Sequence, residues 1–356
     1  MRDTIRCGVL GAGWWATYAH IPALQEYPGA ALVAVQNNRR EEVDRIAHDF
    51  GIPFACTSVE ELLAVQGLSA VIVSSSPNLH YSNALASLEA GKHVLIEKPM
   101  TLKLSEAIHL SRVAEERNLL LLICCPWHYT PHADEARRLV REGALGDIRM
   151  ISMLMTNPTS GLLRGTDLQP THGIPYMTPR KGTYSDPAIA GGGQIYAQVC
   201  HAAAYLTFLT GAQAQAVFAR FHNDGACVDI YDSLSLRMDD ASIVSIASTG
   251  ATTDTRKDFE IRVFGTEGML FLELWHGHME FVPMKGTPRS YPALEPDDIY
   301  PHLAPARNLI DSIRDPSSNR SPATLGIAAM KVLESAARSF ESGRDVLVTS
   351  LMEGQV

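Results

Sequence analysis

The apolar run Ile5 to Leu10 ends in Gly11-Ala12-Gly13-Trp14-Trp15-Ala16, a G-x-G-x-x-A pattern. No other stretch narrows the fold as much. The first glycine permits a tight turn, the second lets a backbone approach a pyrophosphate, and a small third residue lets helix and strand pack closely. A helical stretch, Tyr18 to Glu26, and a second apolar strand, Ala30 to Val35, complete a βαβ start. A pyrophosphate would rest on the helix N-terminus. Gly11, Gly13, Trp14 and Trp15 are therefore candidate dinucleotide contacts.

A chain that binds NAD ordinarily carries an acid at the end of its second strand, for the ribose hydroxyls. Here Gln36-Asn37-Asn38-Arg39-Arg40 occupies that place, with Asn37 where the acid is expected. The missing charge and the added arginines suit a 2′-phosphate. An asparagine can also hydrogen-bond a hydroxyl, and the arginines can simply be solvated. The reading leans to NADP over NAD, with Asn37, Asn38 and Arg39 as the adenosine contacts.

Strands and helices keep alternating: helix Glu41 to Phe50, helix Glu60 to Val65, strand Ala70 to Val73, helix Ser82 to Ala90, strand Val94 to Ile96, helix Leu102 to Glu116, strand Leu119 to Cys124. This order predicts a doubly wound parallel sheet over residues 1–125. Ser74-Ser75-Ser76-Pro77-Asn78-Leu79-His80 closes one strand, and its small residues let a cofactor lie close. Ser75, Pro77, Asn78 and His80 join the candidate cofactor contacts, although a histidine there also suits a helix start. Glu97-Lys98-Pro99 closes the next strand. Proline stops that strand and leaves Lys98 where open α/β sheets hold their ligands.

Residues 126–356 read differently. A helix, Ala133 to Glu142, precedes strands at Ile148 to Met155, Ala214 to Phe221, Tyr231 to Met238, Ser242 to Ser248, Phe259 to Phe264 and Met269 to Leu274, and helices at Ala306 to Ile313 and Ala323 to Ser339. Such runs predict an α+β domain with a large, mostly antiparallel open sheet. Thr156 to Ala190 reads as a long loop holding His172, Tyr176, Arg180, Lys181 and Tyr184, all able to touch a polar ligand. After Gly191-Gly192-Gly193, helical spacing puts Gln194, Gln198, His201 and Tyr205 on one face of an otherwise apolar segment. Such a buried polar stripe must form an internal network or line a pocket.

Composition removes several functions. The net charge of −9 argues against a nucleic-acid groove. No apolar run is long enough to span a bilayer. The six cysteines show no metal spacing. They fit a reducing cytosol, with Cys124-Cys125 read as buried thiols. The N-terminus leads directly into the first strand, so no signal peptide is expected.

Taken together, the glycine turn with Ala16, Ser76-Pro77-Asn78 with His80, Glu97-Lys98-Pro99, Gly191-Gly192-Gly193 before His201, and Val263-Phe264-Gly265-Thr266-Glu267-Gly268 resemble the Gfo/Idh/MocA oxidoreductase family over essentially the whole chain. The resemblance implies a nicotinamide cofactor, sugar or cyclitol substrates, and an open sheet that packs against its copy in a homodimer or homotetramer. It implies a catalytic lysine at Lys98 and histidine at His201. The aspartate that accompanies them in the family is replaced here by Ala197. A shorter resemblance, in Trp14-Trp15-Ala16-Thr17 and Gly193-Gln194 to His201, is to members that oxidise the sugar of plant glycosides at C3.

These residues suggest a division of labour. A free lysine has a pKa of about 10.4 and a histidine about 6.5, so making Lys98 a base near neutrality takes roughly 4 kcal/mol of differential interaction. His201 needs almost none. The expectation is His201 as acid/base and Lys98 as the group that holds the oxygen and its developing charge. Glu97 steadies Lys98 or its loop, and both Glu97 and Lys98 are counted among the expected cofactor contacts. His128, Tyr129, Tyr184, Gln194 and Gln198 are expected substrate contacts, and no metal is expected. Two other classes stay open: a sensor or co-repressor that binds nucleotide without turnover, and an assembly protein that reuses the open sheet. A cofactor held tightly and shuttled between two sugars is a further form of the enzyme reading.

Overall fold

The computed structural model describes residues 4–167, 176–253 and 256–349. Its first sheet holds β1 (Ile5–Leu10), β2 (Ala30–Gln36), β3 (Phe54–Cys56), β4 (Ala70–Val73), β5 (His93–Ile96) and β6 (Leu121–Ile123), in the order β3-β2-β1-β4-β5-β6. Every pairing is parallel. The strand order reverses between β1 and β4, and a crevice opens there at the carboxyl ends, where doubly wound sheets bind ligands. The strands are apolar without alternation, because helices cover both faces. One of the covering helices comes from far along the chain. Ala304–Arg314 buries Ala306, Leu309 and Ile310 in the same cluster as Cys7, Val9, Ile72 and Leu95. The Tyr27 hydroxyl donates to the Asp311 carboxylate at 2.7 and 2.8 Å, and Arg314 donates to the Gly29 carbonyl at 3.0 Å.

The second sheet has nine strands: β7 (Ile148–Thr156), β8 (Ala214–His222), β9 (Tyr231–Met238), β10 (Ile243–Thr249), β11 (Asp258–Gly265), β12 (Gly268–Glu273), β13 (His278–Pro283), β14 (Arg289–Ser290) and β15 (Val346–Leu347). Only β7 and β10 pair in parallel. Sequence reading missed β13, β14 and β15, of which the last two are only two residues long and too short to show a period. One face buries alternate residues such as Leu234, Leu236, Val244 and Ile246 beneath the helices Cys200–Thr210 and Ala323–Ser342. Among the described residues, no helix covers the other face. Cross-strand register there aligns Ile243, Met150, Phe264 and Met269 in one row over four strands.

The stretch read as one loop from Thr156 to Ala190 contains two short helices, Ser160–Arg164 and Pro187–Ala190. His172 lies outside the described residues. All six cysteines are free and five are buried, Cys124 and Cys125 among them. Among the described residues, no helix is long and apolar enough to cross a membrane.

Two of the helical segments are wound more widely than an α-helix. Ala16–His20 and Ile195–Val199 are π turns. Each follows a glycine-rich turn and each flanks the crevice. π turns occur mostly as single-turn bulges in α-helices and are frequent at functional sites.

Candidate active site

The crevice is a cavity of about 470 Å³, lined by the carboxyl-end loops of the first sheet and by helices and turns that follow it in the chain. Its floor begins at the glycine turn. The Gly11 and Ala12 amides donate to the Gln36 carbonyl at 3.1 and 2.7 Å, which pins the turn to the end of β2. Gly11 has φ +81°, and a Cβ there would stand 2.4 Å from Ser75, so only glycine lets the two loops meet. At Gly13 the nearest atom to such a Cβ is 3.8 Å away, which leaves the backbone open to a phosphate. The next loop is clamped: His80 contacts the carbonyls of Pro99 at 2.7 Å and Ser75 at 2.9 Å, and Asn83 donates to the Ser75 hydroxyl at 3.0 Å.

Glu97 organises the deep end. It is buried, and its Oε1 accepts from Trp15 Nε1 at 2.7 Å and faces His20 Nε2 at 3.0 Å, while Oε2 accepts from the Lys98 amide at 3.0 Å. Residues five apart sit ~140° apart around an α-helix. The wider π turn brings Trp15 and His20 onto one side, so both reach a single carboxylate. Burial pushes the Glu97 pKa up, but the contact with His20 and the charges around it prevail and hold it at about 2. A buried charge without such partners would be untenable.

Lys98 stands next in the chain, with a cis bond to Pro99. Its Nζ donates to the Ala197 carbonyl at 2.9 Å. Burial pulls its pKa down. The Cys200 thiol, the Tyr184 phenol and the Glu97 carboxylate pull harder, and the net direction is up. Lys98 is therefore an ammonium at neutral pH, with two N–H donors beyond the one given to Ala197. The residue that lacks the expected carboxylate thus still serves the lysine, through its backbone.

His201, Gln198 and Tyr184 line the same cavity as Lys98. The His201 ring meets Trp127 edge-on at 5.2 Å. Trp127 in turn packs on Trp275 at 4.9 Å and Tyr300 at 4.8 Å, and all three rings face the cavity. The helix that carries His201 is held at its start by Asp229, whose carboxylate accepts from the Gly193 amide at 2.8 Å and the Ile195 amide at 2.7 Å. A Cβ at Gly193 would lie 2.0 Å from the Asp229 carbonyl oxygen, which explains the third glycine.

Several expected contacts lie elsewhere. Gln194 is fully buried, accepts from Thr159 at 3.2 Å and donates to Ser248 at 2.9 Å. The π turn rotates it away from Gln198 and His201, so the expected four-residue stripe is split. Tyr205 is buried between Phe208 and Phe259. His128 stacks on Phe208 at 4.2 Å with its Nδ1 3.0 Å from Ser321 Oγ, and burial lowers its pKa to about 3. Tyr129 donates to Asn308 at 3.1 Å. Both are structural, and Trp127 is the residue of that turn that faces the cavity. Asn78 is exposed and does not line the cavity, because it sits on the outer side of a 3-10 turn, Pro77–Leu79. Arg39 points to solvent and pairs with Glu42 at 2.9 Å. Gly11, Gly13, Trp14, Trp15, Asn37, Asn38, Ser75, Pro77, His80, Glu97 and Lys98 all line the cavity.

Sequence reading did not single out Trp127, Trp275, Tyr300 or His20. Trp127 had a signal in its position just after β6; Trp275 and Tyr300 had none, since they arrive from distant turns. Arg180 was only one of five polar residues in a loop, and its placement over the end of β2 could not be foreseen.

Residues 5–124 match the family profile described as an oxidoreductase family with an NAD-binding Rossmann fold, and residues 133–271 match the GFO/IDH/MocA C-terminal domain. The chain belongs to the Gfo/Idh/MocA family. An uncharacterized oxidoreductase of Synechocystis sp. is 30% identical over 203 residues, covering 57% of this chain and 50% of that one. The scyllo-inositol 2-dehydrogenase (NADP(+)) of Bacillus subtilis is 34% identical over 146 residues, covering 41% of this chain and 40% of that one. The match thus spans half or less of the length of these two relatives. The crystal structure of GenD2 from gentamicin A biosynthesis, in complex with NAD, superposes with a TM-score of 0.81 at 23% identity, over 98% of this chain and 97% of that one, which shows the shared fold.

The residues present fit the dinucleotide that the family implies. The open backbone at Gly13 would take the pyrophosphate. The end of β2 would take the adenosine, and the clamped loop from Ser75 to His80 would lie against the nicotinamide end, beside Lys98.

Proposed function

We propose that the protein is a nicotinamide-dependent oxidoreductase acting on a secondary alcohol, or the matching ketone, of an uncharged sugar, glycoside or cyclitol. The observation that carries this reading is the pairing of Lys98 and His201 in one cavity with the glycine turn. The cofactor, when bound, takes up or supplies the hydride. The ammonium of Lys98 donates to the substrate oxygen and stabilises its negative charge as the hydroxyl proton leaves. His201 accepts that proton in oxidation and returns it in reduction. The rings of Trp127, Trp275 and Tyr300 present apolar faces that suit the C–H faces of a sugar ring, and Tyr184 and Gln198 offer hydrogen bonds to its hydroxyls. Among the described residues, Lys98 is the cation that stands beside Glu97, and the Glu97 oxygens are already engaged by Trp15, His20 and the Lys98 amide. This favours a neutral substrate over a phosphate or a carboxylate. The similarity to an inositol dehydrogenase supports the polyol class.

The test starts with nucleotide released from purified protein by acid and identified by mass. NAD or NADP is expected, either carried through purification or bound when added, followed by a change in nicotinamide absorbance with an inositol, aldose or glycoside. Nucleotide that survives purification in stoichiometric amount would call for paired sugars in the assay, because the cofactor would shuttle without leaving. A protein that binds nucleotide and turns over nothing, singly or in pairs, would be a sensor and would overturn the proposal.

The outer face of the second sheet supports a homodimer or homotetramer. Met150 and Met269 are each 40% exposed and Ile243 55%, and together with Phe264 they form a continuous apolar row, which a solitary chain seldom leaves bare. Met150→Arg is expected to convert the assembly to a smaller species in sedimentation equilibrium. A wild type that sediments as a single chain would refute this.

A further inference from the structure

The amide of Asn37 cannot choose between NAD and NADP, because all four of its hydrogen-bonding positions are taken. Its Nδ2 donates to the Ala12 carbonyl at 2.9 Å and to Glu42 at 3.2 Å. Its Oδ1 accepts from the Arg39 amide at 3.1 Å and from Arg180 at 2.9 Å. An amide offers two donors and two acceptors, so nothing remains for a ribose. Arg39 does not reach the cavity either. Two cations of the segment before the second domain's glycine turn, Arg180 and Lys181, line the cavity, and Arg180 is the one that contacts Asn37 and Asn38 at the end of β2.

Arg180 is held there by neutral and charged partners. It donates to Asn38 Oδ1 at 3.0 Å and to Glu42 Oε2 at 2.8 Å, besides Asn37. Its segment is anchored on the same helix, Arg40–Asp49, through Tyr176, whose hydroxyl donates to Asp49 at 2.6 Å and whose ring lies under the Arg45 guanidinium at 5.3 Å. The cluster holds two arginines, Arg39 and Arg180, and one carboxylate, Glu42, which leaves one net positive charge. Asn38 and Arg180 face the cavity, and Glu42 stands behind them.

We propose that Arg180 reads the ribose 2′ position, that it accepts a 2′-phosphate, and that Glu42 is the internal anion competing for it. With a phosphate present, the guanidinium turns from Glu42 to the ligand, and its planar fork matches phosphate oxygens in a way a lysine cannot. The favoured cofactor is then the phosphorylated one, and the discriminating residue is donated by the second domain to a site otherwise built from the first. This inference rests on the nicotinamide reading of the cavity.

The experiment measures dissociation constants of NADH and NADPH for the nucleotide-free protein by titration calorimetry, with 2′,5′-ADP and 5′-AMP as probes lacking the nicotinamide. Arg180→Ala should weaken NADPH and 2′,5′-ADP at least tenfold and change NADH and 5′-AMP less than threefold. Arg180→Lys should recover only part of the loss. Glu42→Gln should tighten NADPH severalfold, and Arg39→Ala should do neither. A selective loss in Arg39→Ala, or an equal loss of both dinucleotides in Arg180→Ala, overturns the assignment. Wild-type protein that binds neither dinucleotide overturns the nicotinamide reading itself, and that result is distinct from the other two.

Discussion

His201→Ala should lower kcat by ~10²–10⁴-fold, the usual worth of a positioned acid/base group, and leave the dissociation constant of the nicotinamide cofactor unchanged within about threefold. His201 is 4% exposed, lines the cavity, and is wedged against the edge of Trp127. Removing the ring opens a small void against Trp127 without touching the glycine turn or the clamped loop, so the loss should fall on chemistry rather than on cofactor affinity. Single-turnover rates separate the two. A loss below about tenfold would return the proton to another group, and Tyr184 would be the next to test. Added imidazole should restore part of the rate in the alanine variant, a result that a purely structural role would not give.

Lys98→Met should cost ~10²–10³-fold, in line with removal of one donor from a developing oxyanion. The pH profile discriminates the roles. The surroundings raise the lysine pKa, so the ammonium is present throughout the neutral and mildly alkaline range and is lost only above the ordinary lysine value. The ratio of wild-type to Lys98→Met rates should therefore be constant between about pH 6 and 9. A ratio that climbs with pH would mean that the neutral amine is the active form and that Lys98 is the base. Methionine keeps the length of the side chain, so the Glu97 network beside it should survive, and an unchanged thermal midpoint would report this.

The parts of this site that were legible in the sequence are the local ones. A glycine turn between a strand and a helix, and a Glu-Lys-Pro triplet at a strand end, fix where their residues go because neighbouring backbone alone positions them. Periodicity failed where backbone geometry changed. Gln194 reads as a partner of Gln198 and His201 only if the helix is regular, and the π turn between them removes that premise. In Trp127-His128-Tyr129 the polar residues were expected to meet substrate, yet the indole faces the cavity while the imidazole stacks on Phe208. Three consecutive residues in a 3-10 turn point three ways, and only distant packing decides which one looks inward. The adenosine end failed for a related reason: Arg39 is adjacent in sequence to Asn37, but Arg180 arrives through tertiary contact. Ala197 shows the reverse case, in which a missing side chain is partly covered by a carbonyl that every residue carries.

The helix Ala304–Arg314 has a consequence for how the protein is made. The glycine turn, the clamped loop and Lys98 all leave the ribosome early, yet the apolar surface under Ala306, Leu309 and Ile310 is closed only when a much later segment emerges. During that interval part of one face of the nucleotide-binding sheet, beside the early helices that bury Leu24 and Ile46, is exposed to water. Its six strands are short and rich in valine, isoleucine and leucine, a composition prone to pairing with other chains. The first sheet therefore completes its packing only after residue 314 has been synthesised, late in the chain.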